Sequence, residues 1–132
     1  MPGPRGSTRE RGRAAERAVA EHLQAHGLRI VELNYAAAWA ELDLVAVDPT
    51  DGIPTYVFVE VRSRASDEHG SPLETVDHHK QRRVIRAATA WLVEQDLWEQ
   101  VETRFDVVAV TLGADGLPCG ELGWIRDAFD AS

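Results

Sequence analysis

The segment YVFVEVRSR (residues 56–64) begins as a buried strand and then sets Glu60 and Arg62 two positions apart, on one face. A second strand-like segment, ELDLVAVD (41–48), holds Glu41 and Asp43 in the same relation. Acids beside a cation suit one kind of chemistry well. Carboxylate oxygens bind a hard ion such as Mg²⁺, which keeps waters and accepts phosphate oxygens. Such an ion lowers the pKa of a water and offsets charge on a phosphodiester during hydrolysis. A neighbouring Arg62 would stabilise the transition-state charge.

The two segments flank PTDGIP, whose Asp51-Gly52 is hairpin turn chemistry. If that dipeptide is the turn, Asp43 lies opposite Glu60 and Glu41 lies opposite Arg62. Opposed residues share a face with Cβ atoms ~5 Å apart. Two like charges there need a shared proton, a cation or a metal. Pro49 and Pro54 donate no ladder hydrogen bond, so a wider loop is the competing arrangement, and a bulge would move one acid to the other face. The bland alternative is an ion-pair cluster at a sheet edge, with Arg62 bridging Glu41 and Glu60.

The elements that must position these residues are legible from period and punctuation. Thr8 to His26 has helical spacing through Ala15, Ala18, Val19, His22 and Leu23, with Gly27 at C′. LRIVELNY (28–35) predicts a strand. Residues 41–48 predict a second, with Leu42, Leu44 and Ala46 on one face and Glu41, Asp43, Val45 and Val47 on the other. Residues 55–63 predict a third. A polar loop (64–72) precedes a long helix from Leu73 to about Trp98, with Val76, Lys80, Val84, Ala87, Ala88 and Trp91 in one stripe. RFDVVAVTL (104–112) is a fourth strand, and ELGWI (121–125) a short fifth before a last helical turn. The order α-β-β-β-α-β-β predicts an α/β fold with a mixed sheet flanked by helices.

The 132 residues suit one domain, here 8–132, after a Pro/Gly/Arg/Ser-rich tail at 1–7 that reads as disordered. The longest clean apolar run, AAAWA, spans no membrane, and MPGPRGSTRERGR has no apolar core of a secretory signal. The lone Cys119 makes no internal disulfide and no cysteine zinc site, so a cytoplasmic protein is expected. The net charge of −8 argues against a nucleic-acid partner until its distribution is seen. Residues 1–29 carry +3 and 62–86 carry +2, whereas 30–61 carry −6 and 87–132 carry −7. Two basic blocks thus flank an acidic centre, a pattern compatible with a local phosphate-binding surface or with plain solvated helix faces.

With these pieces assembled, the chain resembles the PD-(D/E)XK nuclease superfamily. More narrowly it looks like the YraN family, uncharacterised bacterial proteins distantly similar to archaeal Holliday junction resolvases. The resemblance runs over roughly 9–129 and rests on GRAAERAVAEHLQAHG, LNYAAAWAELDLVAV, FVEVRSR, HHKQRRVIRAATAWL and RFDVVAV, ending in WIRDAF. It implies a restriction-endonuclease-like core. It matches Glu16 to the glutamate of the first helix, Asp43 to the metal-binding aspartate, Glu60 and Arg62 to the E-x-K pair, and Lys80 to the basic residue opening the second helix. It also implies Mg²⁺ or Mn²⁺ held by Asp43, Glu60 and the Val61 carbonyl. Ala15 and Ala40 stand where glycine is usual, and Arg62 where lysine is usual. Arginine stays charged and is no general base, though it clamps phosphate.

The leading expectation is a metal-dependent endonuclease that hydrolyses DNA phosphodiesters, branched DNA included. Glu16, Asp43, Glu60 and Arg62 would be catalytic, and Arg13, Lys80, Arg82 and Arg83 would bind nucleic acid. One alternative is a DNA-binding module of the same fold with weak or absent cleavage. Another is an interaction module using its acidic C-terminal part. A homodimer fits resolvase-like action on two strands, although no interface is legible. Trp39 reads first as a packing residue, with base stacking the alternative. His22 and His26 share a helix face but lack a third zinc ligand. His78 and His79 read as solvated or as phosphate contacts, and Arg104 with Asp106 as a structural pair.

Overall fold

The computed structural model describes residues 8–37, 39–65, 74 and 76–131. The elements are α1 (Thr8–Ala25), β1 (Arg29–Ala37), β2 (Ala40–Asp48), β3 (Thr55–Ala65), α2 (His78–Glu94), β4 (Glu102–Leu112) and β5 (Gly123–Phe129). This is the expected α-β-β-β-α-β-β order. The N-terminal tail and most of the polar loop at 64–72 lie outside the described residues.

The strands form one mixed sheet in the order β1-β2-β3-β4-β5. Only β3 and β4 are parallel; the other neighbours are antiparallel. A parallel pair needs a long crossover, and α2 lies within it. Helix α1 covers one face, with Ala15, Val19 and Leu23 against Leu44, Ala46, Val57, Val59 and Val108. Helix α2 covers the other, with Val84, Ala88 and Trp91 against Leu42, Val45, Phe58 and Phe105. Burial on both faces is why the central strands read as near-continuous apolar runs. None of the described helices is long and apolar enough to cross a membrane.

The helix ends follow local rules. Gly27 (φ 90°) closes α1 in a Schellman motif: Leu28 N–H reaches Leu23 O and Gly27 N–H reaches Gln24 O, both at 3.0 Å. Helix α2 is shorter than its apolar period predicts. The Asp77 side chain caps it by accepting from Lys80 N–H at 2.8 Å, so the helix starts at His78. The expected start at Leu73 falls outside the described residues.

The C-terminal end of α2 also comes earlier than Trp98. A second Schellman motif places Asp96 at C′ with φ 58°, and Leu97 N–H reaches Leu92 O at 2.8 Å. A left-handed aspartate is strained where glycine is not. Asp96→Gly is therefore expected to stabilise the fold by about 0.5–1 kcal/mol, read as a higher denaturant midpoint. An unchanged or lower midpoint would count against the strain.

The predicted last helical turn is instead strand β5. Asp106 Oδ1 accepts the Asp127 N–H at 2.9 Å, and Phe129 stacks on Phe105 with ring centres 5.0 Å apart. Together they hold IRDAF against β4. A further correction concerns β2. Leu44 and Ala46 pack under α1, but Leu42 packs under α2 with Val45. The alternation breaks at one opposed pair, Asn34 and Asp43, between the rungs Leu33–Leu44 and Tyr35–Leu42. Asn34 is left-handed (φ 53°), a conformation asparagine tolerates, and it turns the strand pair over at that point.

Candidate metal centre at a strand fork

The β2–β3 ladder runs from Asp48–Thr55 to Leu44–Val59 and stops there. Past that rung β2 stays paired with β1 as far as Ala40, and β3 with β4 as far as Ala65. The two strands therefore part, and Asp43 and Glu60 stand at the opening of the fork. The register is the one the Asp51-Gly52 turn predicts, although the loop is wider than two residues. Gly52 (φ 82°) donates to Pro49 O at 3.1 Å, and the Asp48 carboxylate accepts from Thr50 N–H at 3.0 Å. The expected opposition of Glu41 and Arg62 is not part of this ladder, because the strands have separated and Glu41 pairs with Ala36.

Within the fork Glu60 is only 3% exposed. Its Oε1 lies 3.2 Å from Lys80 Nζ and 3.5 Å from Arg62 NH1. Lys80 sits on the inner stripe of α2 and points back at the sheet. Asp43 accepts the Val61 N–H at 2.8 Å and stands beside the Glu60 carboxyl. Burial first, then the charge of Asp43, pushes the Glu60 carboxyl up to about 7, against the pull of Lys80. Burial also raises Asp43, opposed mainly by the Val61 amide and the bond to Glu60. Two carboxyls this close resist ionising together, which favours a proton held by the pair.

Glu16 approaches from α1. Burial and then the charge of Asp43 raise its carboxyl, Asn34 and Arg13 lower it, and Glu41 adds a smaller upward push. The Asn34 amide nitrogen, turned toward Glu16, donates to its two oxygens at 2.7 and 2.9 Å. Sequence reasoning missed Asn34. Its signal was an asparagine inside a strand pattern, where that residue is disfavoured unless the backbone turns left-handed.

The other predicted residues divide. Arg13 is exposed and lines a groove of about 230 Å³ with Glu16, Arg17, Leu33 and Asn34. Arg83 reaches across to Trp39 O at 3.4 Å, whereas Arg82 is exposed on the same helix. Trp39 does not pack: it is 94% exposed at the tip of the β1–β2 hairpin. His22 and His26 do share a face, with ring centres 4.4 Å apart, but their next neighbours are the Trp124 ring and the cation of Arg126 stacked on it. His78 and His79 are exposed at the start of α2.

The donor set fits a hard divalent ion. An extended residue presents its N–H and C=O to the same neighbour, so the amide that reaches Asp43 brings the Val61 carbonyl to the fork. Among the described residues no three His, Cys, Asp or Glu side chains are grouped to hold a metal by themselves. The fork offers two carboxylates and a carbonyl. Mg²⁺ is commonly held by one or two carboxylates, with waters and substrate oxygens completing its shell.

The sequence profile of an uncharacterised protein family, UPF0102, matches residues 15–110. The chain is 41% identical over 126 residues to a UPF0102 protein of Pseudomonas fluorescens, covering 96% of this chain and 98% of that one. It is 42% identical over 121 residues to one of Ectopseudomonas mendocina, covering 91% and 94%. A Pseudomonas aeruginosa relative is 41% identical over 127 residues. The matched region holds Glu16, Asp43, Glu60, Arg62 and Lys80 together, and the chain belongs to the UPF0102 family.

Proposed function

We propose that this protein is a metal-dependent nuclease acting on DNA, with the strand fork as its active site. The observation that carries this reading is the pair of carboxyls, buried Glu60 and half-buried Asp43, at the point where two strands part, with Lys80 facing Glu60 at 3.2 Å. A buried acid pair is costly to keep without a ligand that uses it. Asp43, Glu60 and the Val61 carbonyl would hold Mg²⁺ or Mn²⁺, and Glu16 would act on it through water. The ion supplies a more acidic water and charge neutralisation at the phosphate.

The chain's own residues bind and orient. Lys80 from α2 and Arg62 from β3 both reach the Glu60 carboxylate and would hold a phosphate entering the fork. A water attacks phosphorus, the ester P–O bond in line with it breaks, and the departing oxygen regains the proton that the water releases. Arg62 serves here as a clamp, because a guanidinium does not deprotonate to act as a base. That same property favours a second reading, a DNA-binding module with little cleavage.

The test uses labelled linear, flapped and four-way-junction DNA with Mg²⁺ or Mn²⁺, an EDTA control, and the Asp43→Ala/Glu60→Ala double variant. Metal-dependent cutting that falls at least a thousandfold in the variant is expected. Binding without cutting would select the second reading. Neither cutting nor binding would end both.

A further inference from the structure

Trp39 is the most exposed large apolar side chain among the described residues, at 94%. It also holds a left-handed backbone (φ 62°), which a bulky residue adopts only with strain. The exposed indole adds almost nothing to the core, so its ring face is open to a ligand. The indole stands beside a shallow groove of about 390 Å³ lined by Ala36, Ala37, Ala40, Glu41 and Arg83. The alanines leave a flat floor, and Arg83 ties the hairpin tip to α2 through the Trp39 carbonyl at 3.4 Å.

Placement relative to the fork matters most. Arg83 follows Lys80 by three residues, so the two are neighbours on one helix surface. Lys80 faces Glu60 and Arg83 faces the hairpin tip, making a cationic line between the two places. From Trp39 to Asp43 is four residues of β2, roughly 13 Å at ~3.3 Å each. A stacked strand covers that span in about four nucleotides at ~3.4 Å per nucleotide.

We propose that Trp39 is a stacking platform for an unpaired nucleobase and that Arg83 holds the adjoining phosphate, so the site selects strands with unpaired bases a few nucleotides from the fork. This rests on the nuclease reading above and narrows its substrate. An indole face takes any base, so the preference is for strandedness and not for sequence. Of the occupants an exposed aromatic invites, a nucleic-acid strand is the one that also uses the cationic line.

The test is fluorescence anisotropy in EDTA with a labelled 16-nucleotide oligothymidine, an abasic strand of the same length and a blunt duplex. Wild type is compared with Trp39→Ala, Trp39→Phe and Arg83→Ala. Trp39→Ala is expected to weaken oligothymidine binding about tenfold or more, Trp39→Phe to keep most of it, and both to leave the duplex nearly unchanged. Wild type should bind the abasic strand no better than Trp39→Ala binds oligothymidine. Equal oligothymidine binding by wild type and Trp39→Ala would overturn the platform and leave the nuclease reading standing. If wild type binds none of the three probes, the nuclease reading fails first and the platform with it. A Trp39→Ala effect on self-association without an effect on oligothymidine would identify the patch as a contact between copies and overturn the proposal.

Discussion

Glu60→Gln is expected to make the metal-free protein more stable at pH 8 while removing its response to Mg²⁺ or Mn²⁺. The carboxyl of Glu60 is buried beside Asp43 and sits at about 7 instead of 4.5. A raised folded-state pKa contributes stability that is complete below the unfolded value and is lost as pH climbs through the folded one. Wild type should therefore lose stability between about pH 4.5 and 7, by on the order of 3 kcal/mol if the whole shift is realised. Asp43 is raised as well and works in the same direction. Glutamine keeps a donor for Asp43 and carries no charge, so its profile should be flatter. Lys80 loses its partner, but it is partly exposed and can hydrate.

At roughly 3–5 °C per kcal/mol for a chain of this size, Glu60→Gln should melt about 9–15 °C above wild type at pH 8 and much closer to it at pH 5. Metal ought to reverse the order. Its ligands must be deprotonated, so stabilisation by 10 mM Mg²⁺ should grow from pH 6 to pH 8 in wild type and vanish in the variant. Thermal melts at three pH values, with and without the ion, decide it. Parallel profiles for the two proteins would mean that the acid pair carries no strain, and the argument for a ligand would lose its support.

Much of this site was legible because it depends on register and side-chain type. Asp51-Gly52 set the register that brings Asp43 and Glu60 to the same end of the β2–β3 ladder, and the inward stripe of α2 set the direction of Lys80. The fork itself was not legible. Nothing in ELDLVAVD or YVFVEVRSR says that their ladder ends at Leu44–Val59, because that ending depends on β1 and β4 pulling the strands apart. Glu41 was consequently placed with Arg62. Left-handed non-glycine residues account for most of the other misses. Asn34 inverts a strand face, Asp96 ends α2, Asp127 bends an edge strand that reads as a helical turn, and Trp39 projects from a hairpin tip. Each is a polar or bulky residue in a backbone state that propensity assigns to glycine, held there by its local turn or by a contact across the fold.

The second large effect lies away from the fork, at Arg104. Its Nε and NH2 donate to the two oxygens of Asp106 at 3.0 and 3.2 Å, and its NH1 reaches Asp48 at 2.8 Å. Asp106 is fully buried and also accepts from Trp124 Nε1 and Asp127 N–H, each at 2.9 Å. One guanidinium thus joins the end of β2 to β4 and, through Asp106, to β5. Arg104→Met fills similar space but strands two buried carboxylates. Breaking a buried pair from one side costs about 3–5 kcal/mol, more than any exposed ion pair in the chain can contribute. Arg104→Lys keeps the charge and loses the two-pronged geometry, so an intermediate loss is expected. The pH dependence identifies the cause. Hydrogen bonds from Thr50, with Arg104, hold Asp48 at about 2 despite its burial. That depressed value gives wild type stability that is present above 3.8 and lost as pH falls through about 2. In Arg104→Met the stranded Asp48 should take up its proton at higher pH, so the gap to wild type should be widest at pH 7 and narrow toward pH 4. Denaturant midpoints at both values measure it. A loss below 1 kcal/mol, or a gap that does not change with pH, would show that the network is not what joins these strands.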